Sequence, residues 1–493
     1  MRTPKHNTGK PPHIPDVRLS DPRTYSPWWY AIAFLFVAMH LTAVRNGFFL
    51  KWAEGLSLFV PTAAYFAGCM AAPGGLLVYA GTFLIQLFHF PVWGSVAFAG
   101  LLFVVQQLSV SAFRIPRAYY PLSFVPGMML LLSVTQLGYV WATLKSPGYF
   151  FSNTLGVIAA LLGLAIYRQL ASRPFRAAAL CAVVAAGYPL FGFYALFSGF
   201  LCLGVELAAY AADKHARRFV PVAVAALLIG LVPQLFYRHV YSHLQHVLLY
   251  VSGLPRFEFT VKELVLWLPF IVLFASLPLF VLLRQTGNGR NRTAAASSSG
   301  VFAATVILAY SLTYDNENFR AEIKMNDAME HNDWGRVAAI ARNLRGEPTR
   351  SIVLNQSLAL TALGRTGGQR AEPARTVRPD CVRPPTPLTI EMGGRPFYYH
   401  TGRINDCYHW CMEDMVEYGM RVSYLKYMVK CAIVGEEYAL ARKYNAVLAG
   451  TLFHKDWARR YQAYIDRPRL AAADDEIRRI RALLARDASV AEP

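Results

Sequence analysis

Seven carboxylates serve the first 313 residues of this chain, and twenty-three serve the remaining 180. A stretch of that length with so few acids cannot present an ordinary charged surface to water. It is built instead from apolar runs at 28–44, 56–72, 74–90, 91–113, 121–143, 148–167, 177–212, 219–237, 263–283 and 296–313. A bilayer is crossed by roughly 20 apolar residues in a helix, and the run at 177–212, with a break at Pro189, is long enough for two short passes, so about eleven spans are expected. The run at 56–72 is the weakest, because Pro61 interrupts it, and it also suits a segment lying at the interface. The expected fold is all-α: a basic cytoplasmic tail at 1–27, a polytopic transmembrane helix bundle at 28–313, and a soluble helical, repeat-like domain at 314–493.

Charge points the same way. The formal net charge is +19, and residues 1–313 hold 22 Lys/Arg. A basic chain can bind nucleic acid, but here the excess sits in short loops between apolar runs, which is the pattern of membrane topology. With the N-terminus inside, the inner segments 1–27, 113–120, 168–176, 213–218 and 284–292 carry 16 basic residues. The outer loops 45–55, 144–147 and 238–262 carry 6. The positive-inside rule selects that orientation, and an odd number of spans then puts the C-terminal domain outside. The polar, proline-rich lead of 27 residues lacks the features of a cleavable signal, so 28–44 reads as a retained first helix with Trp28, Trp29 and Tyr30 at the interface. Cys69, Cys181 and Cys202 lie in apolar runs and read as small buried hydrophobes. Cys381, Cys407, Cys411 and Cys431 lie in the tail. Packed thiols at Cys407 and Cys411 are favoured over a disulfide involving Cys381 or Cys431, and a zinc site lacks a CxxC pair.

Beyond residue 318 the tail repeats one grammar of helix, tight polar turn and helix. The turns are His331-Asn332-Asp333, Gly402-Arg403-Ile404-Asn405 and Gly435-Glu436-Glu437, and a further helix at 351–363 ends in Gly364-Arg365. Asp333 is a suitable N-cap for the helix that starts at Trp334. The turn glycines, the aromatics Trp334 and Tyr438 after the turn, and Pro348 after a second helix resemble the tetratricopeptide repeat. That resemblance implies stacked helical pairs with a concave partner-binding face. The Gly-, Pro- and Arg-rich segment 366–396 interrupts the pattern and reads as a long loop. An alternative is that these helices only pack as a lid on the membrane body. Pro73-Gly74-Gly75-Leu76-Leu77-Val78-Tyr79, Tyr314-Asp315-Asn316-Glu317 and 435–444 also resemble an uncharacterised family of polytopic bacterial membrane proteins with a repeat-like C-terminal domain. That resemblance implies residence in the bacterial cytoplasmic (inner) membrane and brings no activity.

Candidate chemistry lies in the loops. Arg45-Asn46-Gly47-Phe48-Phe49-Leu50-Lys51-Trp52-Ala53-Glu54 follows the first span. Its layout resembles polytopic glycosyltransferases (GT-C-like) that use lipid-phosphate-linked sugars and keep an acidic residue in this loop as base or metal ligand. Those enzymes often show an acidic pair, whereas Glu54 stands alone here. Glu54 could accept a proton from an acceptor hydroxyl, and Arg45 and Lys51 could hold a lipid phosphate. In the loop 238–262, Arg238 precedes His239, His243 and His246, which would share one helical face if the loop were helical. They suit a phosphate or metal, or else an interfacial amphipathic helix. Arg256, Glu258 and Lys262 could reach a pyrophosphate. Asp315 and Glu317 leave the last span on the same rim as Glu54, where Asp315 is a second candidate catalytic acid. Glu206 is the one acid deep in an apolar run and is a functional candidate for that reason. Phosphate-loop, HExxH and GxSxG motifs are missing. No residue is singled out as a metal ligand, although a divalent metal stays open as cofactor. Three readings follow: a glycosyltransferase-like enzyme acting on a lipid-linked sugar at the outer face, a scaffold whose tail binds a protein partner, and a transporter. All three have the lipid bilayer as partner and none involves nucleic acid.

Overall fold

The computed structural model of the chain describes residues 27–491 apart from 171, 214–218, 258–260, 284–291 and 366–386. Among the described residues the elements are all helices, and the only β-type contact is an isolated bridge between Ser252 and Leu254. Seven helices are long and apolar enough to cross a membrane: Trp28–Arg45, Pro91–Phe113, Arg117–Thr135, Tyr149–Gln169, Phe193–Ala211, Leu264–Leu283 and Thr293–Leu312. Three shorter apolar helices, Gly75–His89, Phe175–Phe191 and Ala223–His239, lie among them. The chain is thus a multi-pass membrane protein by the length and composition of its helices.

The count of full-length spans is below the eleven expected, and local geometry explains the difference. The run at 56–72 yields only the short helix Ala63–Cys69, capped by Thr62, whose side chain accepts a hydrogen bond from the Tyr65 amide. The run at 177–212 breaks at Gly192 and not at Pro189. Gly192 has φ +55, a left-handed conformation that costs glycine little, whereas Pro189 sits in the short helix Gly187–Phe191. The run at 121–143 splits into the end of one span and a separate turn of helix at Val140–Thr143.

Large apolar side chains point outward along the spans, with Phe36 66%, Val92 59%, Leu227 63%, Ile271 58% and Ile307 66% exposed. A surface this apolar is unfavourable in water and suits contact with lipid. Inside, Phe34, Leu102, Met128, Leu131, Phe151 and Leu161 are fully buried.

The tail includes consecutive helices, each packed on the next: Glu317–Glu330, Trp334–Arg342, Arg350–Ala362, Arg395–His400, Ile404–Tyr418, Val422–Val434, Tyr438–Ala449, Lys455–Asp466, Pro468–Ala473 and Asp475–Ala491. Four of its turns are built alike. Asn332, Gly364, Gly402 and Glu436 take positive φ (56, 67, 85 and 63). In each, the next residue's amide donates to the carbonyl five residues back: Asp333 to Ala328, Arg365 to Leu360, Arg403 to Tyr398 and Glu437 to Ala432. Such left-handed ends satisfy carbonyls that a helix terminus would otherwise orphan. Asp333 caps its helix by accepting from the Arg336 amide at 3.0 Å. The long loop expected at 366–396 is shorter than that at its C-terminal end. Ile390–Gly394 is a π-helical turn leading into Arg395–His400, and Ile390, Glu391, Met392 and Gly393 are buried.

Packing is continuous across Tyr314. Phe319, on the first tail helix, meets Phe49, Trp52, Tyr139 and Tyr314 at ring-centroid distances of 4.7–5.8 Å. The Tyr314 amide donates to Thr135 O at 2.9 Å. Its ring covers Gly138, where a Cβ would come within 2.4 Å of the ring, so only glycine fits. Leu58 and Val60 of the first loop belong to the apolar core of the later tail helices.

Candidate functional site

The rim where the tail meets the bundle collects the three loops read as outer. Arg45 ends the π-helical turn that closes the first span, and its Nη2 donates to Asp315 Oδ2 at 2.7 Å. Arg320 reaches the other oxygen of Asp315 at 3.0 Å. Lys145 pairs with Glu417 of the tail. The Arg256 amide donates to Ser146 Oγ at 3.2 Å, joining the loop at 238–262 to that at 144–147.

Glu54 lies at the centre of this junction. It ends the short helix Gly47–Gly55 and is 5% exposed. His454 Nε2 donates to Glu54 Oε1 at 2.8 Å, and His89 Nδ1 lies 3.7 Å from Glu54 Oε2. One donor atom from each of the three residues lies within 4.8 Å of the other two. His89 closes the 3₁₀ turn Gln86–His89, where residues three apart eclipse, so Gln86 and His89 face the same way. The tail turn before Lys455 seats on that face. The Leu452 amide donates to Gln86 Oε1 at 3.2 Å, and the Phe453 ring stacks on the His89 ring at 5.2 Å and 8°. Burial works to raise the Glu54 carboxyl, but the His454 and His89 imidazoles outweigh it and hold the pKa below the ordinary carboxylate range. Glu54 is therefore ionised at neutral pH even though it is buried.

All three residues line a cavity of about 150 Å³ between the first loop and the tail helices. Glu54, Asp327, Glu330 and Glu391 face Lys51, Lys426, Lys430 and Arg395 around it, so its fixed charges balance. Lys51 is 2.6 Å from Asp327, Lys426 pairs with Glu330, and Lys430 is 3.0 Å from Glu476. The charge of Lys426, helped by its hydrogen bond, takes the half-exposed Glu330 carboxyl down to about 2. Leu56 also lines a larger neighbouring cavity of about 600 Å³. Lys145, Arg256 and Arg421 supply its cations, and Leu77, Val78 and Leu254 supply part of its apolar wall.

The residues singled out in the sequence therefore divide. Glu54 and Lys51 share the smaller cavity, and Arg256 lines the larger one. Arg45 and Asp315 neutralise each other at the rim. Glu317 accepts from the Arg345 and Gly346 amides at 3.0 and 3.3 Å and so acts as a turn cap. The three loop histidines do not share a helical face. The helix Phe219–His239 ends at His239, with Arg238 and His239 both exposed, and a turn follows. His243 contacts Ala71 O at 3.1 Å and His246 contacts Gln234. Glu206 is buried beside Tyr167, whose hydroxyl donates to it at 3.0 Å, with Arg176 at 3.5 Å. Cys407, Cys411 and Cys431 are free and buried together, while Cys381 and Glu258 lie outside the described residues. Nothing is described of the Lys262 side chain.

His89 and His454 were missed in the sequence. Two faint signals pointed to them: a glutamine and a histidine three apart at the end of an apolar run, and the apolar pair Leu452-Phe453 in a turn between polar helices. The partners are 365 residues apart in the chain (454 less 89), so no spacing rule links them.

Residues 24–492 match a family of unknown function, DUF6057, and the chain belongs to that family. No curated protein matches it, and no solved structure does.

Proposed function

We propose that this membrane protein transfers a glycosyl group from a lipid-phosphate-linked sugar, using the two adjoining cavities between its helical bundle and its tail. The observation that carries this reading is the position of Glu54. The sole carboxylate of the first loop lines a partly open cavity, apolar over much of its surface but ringed by charged side chains, next to a larger one that combines an apolar wall with Lys145, Arg256 and Arg421. An anionic amphiphile needs that combination of cations and apolar surface. In this reading Glu54 accepts the proton of the acceptor hydroxyl and His454 orients the carboxylate. Arg45 and Lys51 are committed to Asp315 and Asp327, and Lys145 and Arg421 to Glu417 and Glu391, so the phosphate falls to Arg256 of the larger cavity.

The reading places the tail, 314–493, on the extracytoplasmic side of the bundle at 28–313. Loop charges support that side, and the Arg45–Asp315 pair supports a common rim for the exits of the first and last spans without any count of the spans between. A deletion strain complemented with wild-type or Glu54→Gln protein tests the transfer. The deletion should remove a surface glycan and accumulate its lipid-linked donor, and only the wild-type chain should restore both. Unchanged glycans and an unchanged donor pool in the deletion strain refute it.

The four like turns favour a second reading, a tetratricopeptide-like scaffold whose tail binds a protein partner. In-cell crosslinking from the exposed Val416 separates the two, because a scaffold yields one discrete crosslinked partner and an enzyme need not.

A further inference from the structure

We propose that Glu54, His89 and His454 form a binding site for one divalent transition-metal ion, best matched by Zn²⁺. Two imidazoles and a carboxylate are a donor set that zinc accepts with a position left open for water or substrate. Magnesium and calcium prefer all-oxygen shells and are disfavoured by it. With zinc–ligand bonds of about 2.0–2.1 Å, tetrahedral ligand atoms stand about 3.3 Å apart. Here His454 Nε2 is 2.8 Å from one Glu54 oxygen and His89 Nδ1 is 3.7 Å from the other, and one donor atom from each residue falls within 4.8 Å of the rest. Closing the shell to that spacing takes shifts of up to about 1.5 Å.

The second imidazole is the telling feature. A buried carboxylate needs one hydrogen-bond donor per oxygen, and His454 supplies one at 2.8 Å. His89, at 3.7 Å, is beyond hydrogen-bond reach of the other oxygen. Its ring is nevertheless held in place, stacked on Phe453 and edge-on to His454 at 5.3 Å and 82°. Packing thus brings a second imidazole nitrogen to the carboxylate at ion-pair distance, a gap that a shared metal ion would close. The open side of the shell faces the 150 Å³ cavity, which has room for about five waters at roughly 30 Å³ each. Because the fixed charges around that cavity balance, the ion would leave it net positive, an environment that favours an anionic ligand. Glu54 and His89 belong to the body and His454 to the tail, so the ion would also staple the two together.

This inference gives Glu54 the role of metal ligand in place of the free base of the glycosyl-transfer reading, and it is tested without any substrate. The full chain in detergent micelles is titrated with Co²⁺, followed by its visible d–d absorption, and then with competing Zn²⁺. One Co²⁺ per chain is expected, displaced by Zn²⁺. His89→Asn and His454→Asn should each weaken binding by more than the roughly 10–100-fold that losing an outer-shell partner costs. His243→Asn, at an exposed position away from the cluster, should leave binding unchanged. If His454→Asn loses helicity by circular dichroism, His89→Asn decides alone, since that side chain is 29% exposed and tolerates replacement better. Absence of saturable Co²⁺ binding to the wild-type chain overturns the proposal, and so does unaltered affinity in His89→Asn.

Discussion

Glu322→Gln should make the seam between tail and bundle insensitive to pH. Glu322 is 2% exposed and joins the two parts of the molecule. It accepts from the Tyr139 hydroxyl of the body at 2.7 Å and from the Thr349 hydroxyl of the tail. Burial, only partly offset by those two hydrogen bonds, pushes its carboxyl from 4.5 up to about 7. The folded state therefore binds this proton more tightly than the unfolded state does. Its stabilising contribution is complete below pH 4.5 and is lost as pH rises through about 7. A gap of about 2.5 pH units, at about 1.4 kcal/mol each, gives an upper figure near 3.5 kcal/mol. Glutamine keeps the shape, accepts from Tyr139 through its amide oxygen, and donates to the Thr349 oxygen, but it never ionises. Thermal midpoints of the two proteins in micelles, followed by tryptophan fluorescence, should lie close together at pH 5. At pH 8.5 the variant should be more stable by about 1–3 kcal/mol. Equal pH dependence in the two proteins would show that the carboxylate does not charge at a desolvated seam, and the reasoning would fail.

Three further outcomes are expected. Phe319→Ala removes the ring shared by Phe49, Trp52, Tyr139 and Tyr314, and should cost about 3–5 kcal/mol and make the tail sensitive to limited proteolysis; wild-type cleavage rates would contradict the docking described. Arg395→Met leaves the buried Glu391 and Asp414 without their shared cation, at a cost of about 3–5 kcal/mol; a denaturant midpoint unchanged from wild type would refute it. Val416→Cys, at a position 82% exposed on the tail, should react with a membrane-impermeant maleimide on intact cells when Cys181, the exposed thiol among the described residues, and Cys381 are both replaced by serine. Labelling only after lysis would put the tail on the inner side.

Much of the architecture was legible because it depends on local composition. The apolar runs mark the helices that can cross a bilayer, and turn chemistry marks the tail helices. The helix expected from Trp334 begins there, capped by Asp333, and the one expected from Tyr438 begins there too. Break points were less legible. Pro189 looked like the interruption, yet the helix Phe175–Phe191 carries it near its end, just after the π-helical turn Ala182–Ala186, and the chain turns instead where Gly192 accepts a positive φ. The segment ending at 396 looked like loop because of its glycines, but Glu391, Arg395, Asp414 and Arg421 pair inside the tail and order it.

The sequence by itself determined that this chain carries helices apolar enough for a membrane, and that Glu54 is the only acid its first loop can offer. Those are properties of neighbouring residues, and solvation acts on them locally. Only the tertiary structure decided what Glu54 meets. His89 comes from the end of a short apolar helix and His454 from a turn of the tail, and they converge because Phe319, Leu58 and the seat on Gln86 dock the tail against the bundle. Convergence of that kind depends on how helices pack, which long-range burial sets and sequence spacing does not record.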